Sequence, residues 1–175
     1  MNKKSTKLVL TALFAALTCV ATMIIKVPTL GTNGYVNIGD TIVLLSAWMI
    51  GGIYGALAAG IGSALADLLS GYGTYVPGTL AIKFLMALAA YFIFKALTKI
   101  NVNKIVAYII SGVAAELIMI AGYFLYESTI LGYGLAAVPS IGSNAVQGVT
   151  CLVLGFVAVI VLENTKALNF IKKYV

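Results

Sequence analysis

The sequence predicts an all-α integral membrane protein, a bundle of six transmembrane helices that forms one domain over residues 1–175. Composition, the number of long apolar runs and the placement of lysine lead to this fold class. Of the 175 residues, 62% are hydrophobic and 9% are charged, whereas soluble domains carry about 25% charged residues. A water-soluble fold of this size could not bury so much apolar surface, so we expect lipid to be the solvent.

The apolar runs are the transmembrane candidates, because crossing a bilayer takes about 20 mostly apolar residues. We place the six spans at residues 8–25, 40–54, 55–70, 79–97, 104–124 and 138–162. The first run is longer than the apolar part of a typical signal peptide, so we expect it to persist as a helix. Only the segment Gly51–Gly55 separates the second span from the third, and its glycines favour a helical hairpin with a tight turn.

Lysine placement orients the bundle, because cytoplasmic loops are enriched in lysine. With six spans, one side of the membrane receives the N-terminus, the fourth-to-fifth connection and the C-terminus. These segments hold Lys3, Lys4, Lys7, Lys95, Lys99, Lys104, Lys166, Lys172 and Lys173. The loops on the other side hold only Lys26. We therefore expect both termini to be cytoplasmic.

The three predicted outer connections, 26–39, 71–78 and 125–137, concentrate tyrosine, asparagine and glycine. Tyrosine is common at membrane interfaces, which is enough to explain any single one. Their clustering suits flexible segments that close over a small polar aromatic molecule. The ligand-binding candidates from these connections are Asn33, Tyr35, Asn37, Tyr72 and Tyr75.

Charged residues inside the spans are further candidates, since such groups normally face the bundle interior or a water-filled cavity. Asp67 and Lys83 lie at similar depth on consecutive helices, so we expect them to face each other or a shared cavity, as ligand contacts or as a structural ion pair. Asp40 begins the second span and either caps that helix or contacts the ligand. Glu116 lies midway along the fifth span with no basic neighbour in sequence, so its partner must come from another helix or a ligand.

Two amides in the last span complete the set. Asn144 and Gln147 are three residues apart near its outer end and therefore share a helix face. They either bind ligand or join helices through hydrogen bonds. Apart from Glu116, these polar groups lie in the outer half of the bundle, which favours an outward-facing pocket over a channel.

Small residues indicate close helix contacts, because helices associate in lipid where small side chains let backbones approach. The third span is rich in alanine and glycine, so we expect it to be central in the bundle. The first span carries Ala12 and Ala16 on one face with Ala15 beside them. This face either packs within the protein or docks on a partner membrane protein.

Several functions lack their usual sequence signals. The chain has no histidine and no phosphate-binding loop of the G-x-x-x-x-G-K-[ST] type, so we predict no catalytic residue, no metal site and no ATP hydrolysis by this chain. Cys19 and Cys151 fall in apolar runs, where cysteine usually behaves as a small hydrophobe. The basic charge lies mainly at helix ends, which argues against nucleic acid binding. A pocket without its own energy source indicates a substrate-capture subunit.

Three local motifs resemble one transporter family. They are YVNIGD at 35–40, GSALADLLSGY at 62–72 and YVPGTLAIK at 75–83. They are similar to the substrate-binding S components of energy-coupling factor (ECF) vitamin transporters, in the group that includes members assigned to riboflavin, hydroxymethylpyrimidine and pyridoxine. The similarity is densest over residues 35–90.

The resemblance implies a vitamin-binding protein of the bacterial cell membrane that takes its ligand from outside, beneath the first outer loop. It also implies docking through the first helices on a transmembrane coupling subunit with two ATPases, so this chain would need no cofactor. Ala12 and Ala16 match the docking motif of the family, and residues 31–39 match its lid. We expect a small pyridine or pyrimidine vitamin, pyridoxine or hydroxymethylpyrimidine, rather than riboflavin, which needs a larger pocket.

Other functions stay open at this point. An autonomous secondary transporter or channel could use Asp67, Lys83 and Glu116 as a proton relay. A membrane-embedded enzyme or a purely structural subunit is a third possibility. Flux without partner subunits, turnover of a substrate, or the lack of any ligand would distinguish these from a capture subunit.

Overall fold

The computed structural model describes residues 3–165, and these form six helices and one short β-hairpin. The helices are α1 (Lys3–Ile24), α2 (Asp40–Met49), α3 (Gly52–Leu69), α4 (Val76–Lys99), α5 (Lys104–Leu125) and α6 (Val138–Asn164). Five of them, all except α2, are long and apolar enough to cross a membrane. The ten residues of α2 measure only about 15 Å at 1.5 Å per residue, about half of the hydrocarbon core.

The turn between α2 and α3 ends the second helix earlier than the predicted span 40–54. Gly51 and Gly52 have φ angles of +70° and +53°, in the left-handed region that glycine adopts without steric cost. Beyond the turn the two helices touch through their backbones. A Cβ atom placed on Gly55 would lie 2.5 Å from the carbonyl oxygen of Ser46, and Ser46 Oγ donates to the carbonyl of Gly55 at 3.0 Å.

The connection between α1 and α2 contains a β-hairpin that the sequence reasoning did not predict. Strands β1 (Lys26–Pro28) and β2 (Tyr35–Asn37) pair in antiparallel register, with Val27 opposite Val36. Three residues per strand are too few for an alternating pattern to be recognised. The backbone N–H of Thr29 donates to the carbonyl of Gly34 at 3.0 Å and closes the loop between the strands. We call residues 26–37 the hairpin.

Helix α3 lies centrally, as its small residues indicated. Ala56, Ala58 and Ala59 are fully buried. A Cβ atom on Gly60 would lie 2.8 Å from the carbonyl oxygen of Leu80 in α4. The glycines and alanines of α3 thus let its neighbours approach to backbone contact.

Ion and ring contacts show which helix ends lie together. The ammonium group of Lys104 at the start of α5 pairs with Glu163 at the end of α6. Lys7 near the start of α1 lies 5.9 Å from the ring centre of Tyr54 near the start of α3. We call this end of the bundle the lysine end, and the hairpin lies at the opposite end. Three further lysines were predicted to lie on this side, Lys166, Lys172 and Lys173. They fall outside the described residues.

Candidate functional site

A polar cavity of about 20 Å³ lies beneath the hairpin at the end of the bundle opposite the lysine end. Its walls come from the hairpin, α3, α4, α6 and the chain around the end of α5. The lining residues are Thr29, Gly34, Tyr35, Asn37, Asp67, Tyr75, Thr79, Tyr123, Glu127, Asn144 and Gln147. The sequence reasoning named six of them as ligand-binding candidates: Tyr35, Asn37, Asp67, Tyr75, Asn144 and Gln147.

Asp40 and Lys83 form a buried ion pair next to this cavity. Lys83 Nζ lies 2.5 Å from Asp40 Oδ1, and the side chains are 2% and 1% exposed. The second carboxylate oxygen, Oδ2, accepts a hydrogen bond from Gln147 Nε2 at 2.6 Å. Asp40 does not cap α2, because Gly39 is the N-cap residue and the helix has no side-chain capping hydrogen bond. The capping interpretation is therefore wrong, and the carboxylate is held by a cation and an amide instead.

The position of α2 explains why Lys83 pairs with Asp40 and not with Asp67. Lys83 lies seven residues after the first residue of α4, about 10 Å along the helix. The hairpin carries the chain into the bundle, so that α2 begins level with Lys83. The carboxylate of Asp67 instead accepts a hydrogen bond from the Tyr35 hydroxyl at 2.6 Å.

Gln147 joins the hairpin to the ion pair. Its Oε1 accepts the backbone N–H of Asn37 at 2.6 Å, while its Nε2 binds Asp40. Asn37 also folds back on the chain, because its Oδ1 accepts the N–H of Gly39 at 2.8 Å. One amide of α6 thus fixes both the end of the hairpin and the start of α2.

Glu127 is a cavity residue that the sequence reasoning did not select. Helix α5 continues into a π-helical turn, Tyr126–Ile130, a conformation that is frequent at functional sites. The turn buries Glu127 to 2% exposure. Its Oε1 accepts from the Tyr75 hydroxyl at 3.0 Å, and its Oε2 accepts from Ser140 Oγ. The sequence signal that could have identified Glu127 is its position as an acidic residue shortly after an apolar span, in a segment rich in tyrosine.

Tyrosine rings surround the part of the cavity that lies next to the hairpin. Tyr35 and Tyr72 lie 4.5 Å apart between ring centres, and Tyr75 lies 6.4 Å from Tyr72. Burial raises the pKa of the Tyr35 hydroxyl, and the nearby Asp67 carboxylate raises it further. Burial likewise raises the pKa of Tyr75. Both side chains are therefore neutral phenols that donate hydrogen bonds.

Thr79 and Tyr123 were missed because threonine and tyrosine are ordinary residues in membrane helices. Their hydroxyl oxygens lie 2.9 Å apart, within hydrogen-bond distance. The Tyr123 ring centre lies 5.2 Å from Lys83 Nζ, within the range of a cation–π contact. These two residues connect the cavity wall to the buried ion pair.

Three other predicted ligand residues occupy different places. Asn33 is exposed in the loop of the hairpin. Tyr72 is half-buried against Tyr35, and Lys83 is taken up by its pair with Asp40. Their roles toward a ligand stay predictions.

Glu116 lies apart from the cavity, although it is only 4% exposed. It lines a separate apolar groove of about 150 Å³ between α5 and α6. Neither of its carboxyl oxygens has a hydrogen-bond partner among residues 3–165. Its predicted partner from another helix is therefore not seen in the described part of the chain.

The residues proposed for docking separate into two faces of α1. Ala12 and Ala16 are exposed. Ala15 faces α3, since a Cβ atom on Gly62 would lie 2.4 Å from the Ala15 carbonyl oxygen. Only the Ala12–Ala16 face is free to meet a partner within the described part of the chain.

Apolar helices around a polar, hairpin-covered cavity define a multi-pass membrane protein with a site suited to a small polar molecule. Comparison with known proteins identifies the class. The chain matches the family described as "ECF-type riboflavin transporter, S component" over residues 2–164, and it belongs to this family. The resemblance inferred from the motifs is thereby confirmed. The family consists of S components of vitamin transporters and not of enzymes.

Individual relatives agree with this assignment. The chain is 32% identical to an uncharacterized protein of Pyrococcus woesei in the gap 3′ region over 136 residues, which are 78% of this chain and 87% of the relative. It is 27% identical over 177 aligned positions to the thiamine precursor transporter HmpT of Lactococcus lactis subsp. cremoris, covering 98% and 96% of the two chains.

A solved structure of the S component of a bacterial ECF transporter superposes with a TM-score of 0.67. The superposition covers 93% of this chain and 98% of the other. At 17% identity this likeness shows the fold alone.

Proposed function

We propose that this S component captures a small heterocyclic vitamin or vitamin precursor at the outer face of the cell membrane. Hydroxymethylpyrimidine or pyridoxine is favoured over riboflavin. The loaded protein then docks on a transmembrane coupling subunit, and two ATPase subunits supply the energy for uptake. The observation that carries this proposal is the buried polar cluster beneath the hairpin, in which Asp40, Lys83 and Gln147 adjoin a cavity with polar walls.

The size of the cavity supports a small ligand. At about 20 Å³ it has room for about one water molecule, whereas pockets for drug-sized ligands measure about 300–1,000 Å³. Ligand entry therefore requires movement of the wall, and we propose that the hairpin moves. The hydrogen bonds that hold it include those from Tyr35 to Asp67, from the Asn37 backbone to Gln147 and from Lys26 to Ser70 at 3.0 Å. A single six-membered ring needs less expansion than the three fused rings of riboflavin.

One relative supports hydroxymethylpyrimidine over pyridoxine as the ligand. HmpT is described as a thiamine precursor transporter, and the pyrimidine half of thiamine derives from hydroxymethylpyrimidine. HmpT aligns over nearly the whole length of both chains. We therefore place the pyrimidine first and pyridoxine second.

Lysine distribution supports the orientation that capture from outside requires. Cytoplasmic loops are enriched in lysine, so we propose that the lysine end faces the cytoplasm, with both termini on that side. The hairpin and its cavity then face outward. In this arrangement the hairpin and α2 together take the place of the second crossing, and the exposed Ala12–Ala16 face of α1 meets the coupling subunit.

The test combines binding and transport. Purified protein is titrated by isothermal calorimetry with hydroxymethylpyrimidine, pyridoxine and riboflavin. Uptake of radiolabelled ligand is measured in proteoliposomes with and without the coupling and ATPase subunits. Tight binding of one small ring by the isolated chain, with ATP-dependent uptake only in the complex, supports the proposal. Gradient-driven flux by the chain alone would overturn it in favour of an autonomous transporter.

The geometry gives that alternative little support. A relay through Asp67, Lys83 and Glu116 needs a continuous chain of hydrogen bonds that joins all three. Asp67 is bonded to Tyr35 and Lys83 to Asp40. Glu116 has no hydrogen-bond partner in the described residues.

A further inference from the structure

The walls of the cavity carry two carboxylates, from Asp67 and Glu127, and no lysine. The nearby Lys83 is committed to Asp40 at 2.5 Å, and Lys26 is exposed and bonded to Ser70. Among residues 3–165, neither Asp67 nor Glu127 has an ion-pair partner. A buried carboxylate without a cation is unfavourable unless hydrogen-bond donors or positive charge compensate it. In the described residues the donors to these carboxylates are neutral hydroxyl groups, so the site favours a ligand that brings N–H donors and the missing positive charge.

The two carboxylates differ in how firmly they are held. Asp67 accepts from Tyr35, which belongs to the hairpin and must shift when the cavity opens. Glu127 is bound by Tyr75 at the start of α4 and by Ser140 in α6, so its orientation does not depend on the hairpin. Fixed acceptors of this kind give a site its specificity, because their geometry is set before the ligand arrives.

The hairpin packs closely over Glu127. A Cβ atom placed on Gly34 would lie 3.1 Å from Glu127 Oε1 and equally close to the Tyr75 hydroxyl. With glycine at this position, the hairpin covers the carboxylate with backbone alone. Once the hairpin moves away, a flat ring can therefore reach Glu127 without having to displace a side chain of residue 34.

We propose that Glu127 determines ligand specificity by binding the donor edge of an amino-substituted nitrogen heterocycle, taken up as a cation. The exocyclic amino group and the adjacent protonated ring nitrogen present two N–H donors side by side, a match for the two oxygens of one carboxylate. Asp67 supplies a second acceptor. An oxo group in place of the amino group would set a carbonyl oxygen against the carboxylate. This inference rests on the proposed function and narrows its ligand to an aminopyrimidine.

The test compares two probes on the full chain by calorimetry: 4-amino-5-hydroxymethyl-2-methylpyrimidine and its 4-oxo analogue. We expect the amino compound to bind on the order of 100-fold more tightly, because a site built around a donor rejects a ligand that lacks it. In Glu127→Gln, which keeps the shape and loses the charge, we expect affinity for the amino compound to fall by a similar factor. The matched control Glu163→Gln alters an acid at the lysine end and should leave both affinities unchanged.

Two results would overturn the inference while leaving vitamin capture intact. One is equal or tighter binding of the 4-oxo analogue, of pyridoxine or of riboflavin by the unaltered protein. The other is an undiminished preference for the amino compound in a Glu127→Gln variant whose midpoint of thermal unfolding equals that of the unaltered protein. The comparison of ligands on the unaltered protein needs no variant. It therefore tests the inference even if Glu127→Gln does not fold. If none of these compounds binds, the proposed function fails together with the inference.

Discussion

Removing the cation of the buried pair, in Lys83→Met, should destabilise the protein strongly. Asp40 is fully buried and Lys83 is 2% exposed, so solvent cannot replace the lost ammonium group. Gln147 would be left as the partner of the carboxylate. Breaking a buried ion pair from one side costs about 3–5 kcal/mol. At roughly 2–4 °C per kcal/mol for a chain of this size, the midpoint of thermal unfolding should fall on the order of 10 °C.

The double variant Asp40→Asn plus Lys83→Met separates the charge from the packing. It removes both charges and keeps side chains of similar size, so no uncompensated carboxylate remains. We expect it to recover at least half of the lost stability, because replacing a whole buried pair by neutral groups is often close to neutral. The amide at position 40 can still accept a hydrogen bond from Gln147.

The assay is thermal unfolding in detergent, followed by the fluorescence of Trp48, the single tryptophan, which is 7% exposed. Lys104→Met is the matched control, because it breaks an ion pair whose side chains are 44% and 20% exposed. Such pairs contribute about 0–1 kcal/mol. A midpoint for Lys83→Met no lower than that of the control, or a double variant less stable than Lys83→Met, would refute the reasoning.

Three further variants test docking, packing and the hairpin. Ala12→Trp with Ala16→Trp should abolish uptake by the assembled transporter and leave ligand affinity by calorimetry unchanged. Gly62→Ala should destabilise the protein by about 1–3 kcal/mol in thermal unfolding, because its methyl group would lie 2.4 Å from a backbone oxygen of α1. Tyr35→Phe removes the donor to a buried carboxylate, worth about 1.5–3 kcal/mol, and should speed ligand dissociation in stopped-flow measurements at least tenfold.

Each of these variants has a control of the same chemical kind. Leu117→Trp places an indole on α5 at a residue that is 60% exposed and should preserve uptake. Gly142→Ala adds a methyl group where no atom lies within 4 Å and should not destabilise α6. Tyr54→Phe removes a hydroxyl at the lysine end and should leave dissociation unchanged. Equal effects in a variant and its control would contradict the role assigned to that position.

The helical membrane fold could be predicted because it follows from composition and length alone. Lipid offers no hydrogen bonds to a backbone, so long apolar segments must be helical. The central place of α3 likewise follows from its small side chains, which only benefit the protein at helix contacts. These rules act within one segment at a time and need no knowledge of its neighbours.

The pairing of the charges could not be predicted, because it depends on how deep each segment lies. Asp40 stands 43 residues before Lys83 and 107 before Gln147, and nothing local signals their contact. The hairpin sets this depth, and its strands have only three residues each. Glu127 was missed for the same reason: a π-helical turn carries into the protein a residue that the sequence places in an outer loop.

Helix α1 connects the covered site to the surface proposed for docking. Near the end of α1 that adjoins the hairpin, Thr22 is 3% exposed, and a Cβ atom on Gly39 would lie 2.0 Å from the Thr22 hydroxyl oxygen. No methyl group fits between α1 and Gly39, the residue that precedes α2, so we expect a shift of the chain at this point to press on α1. The same helix exposes Ala12 and Ala16 on another face. We therefore expect that movement of the hairpin on ligand binding reaches, through the packing of α1, the surface that we propose for docking.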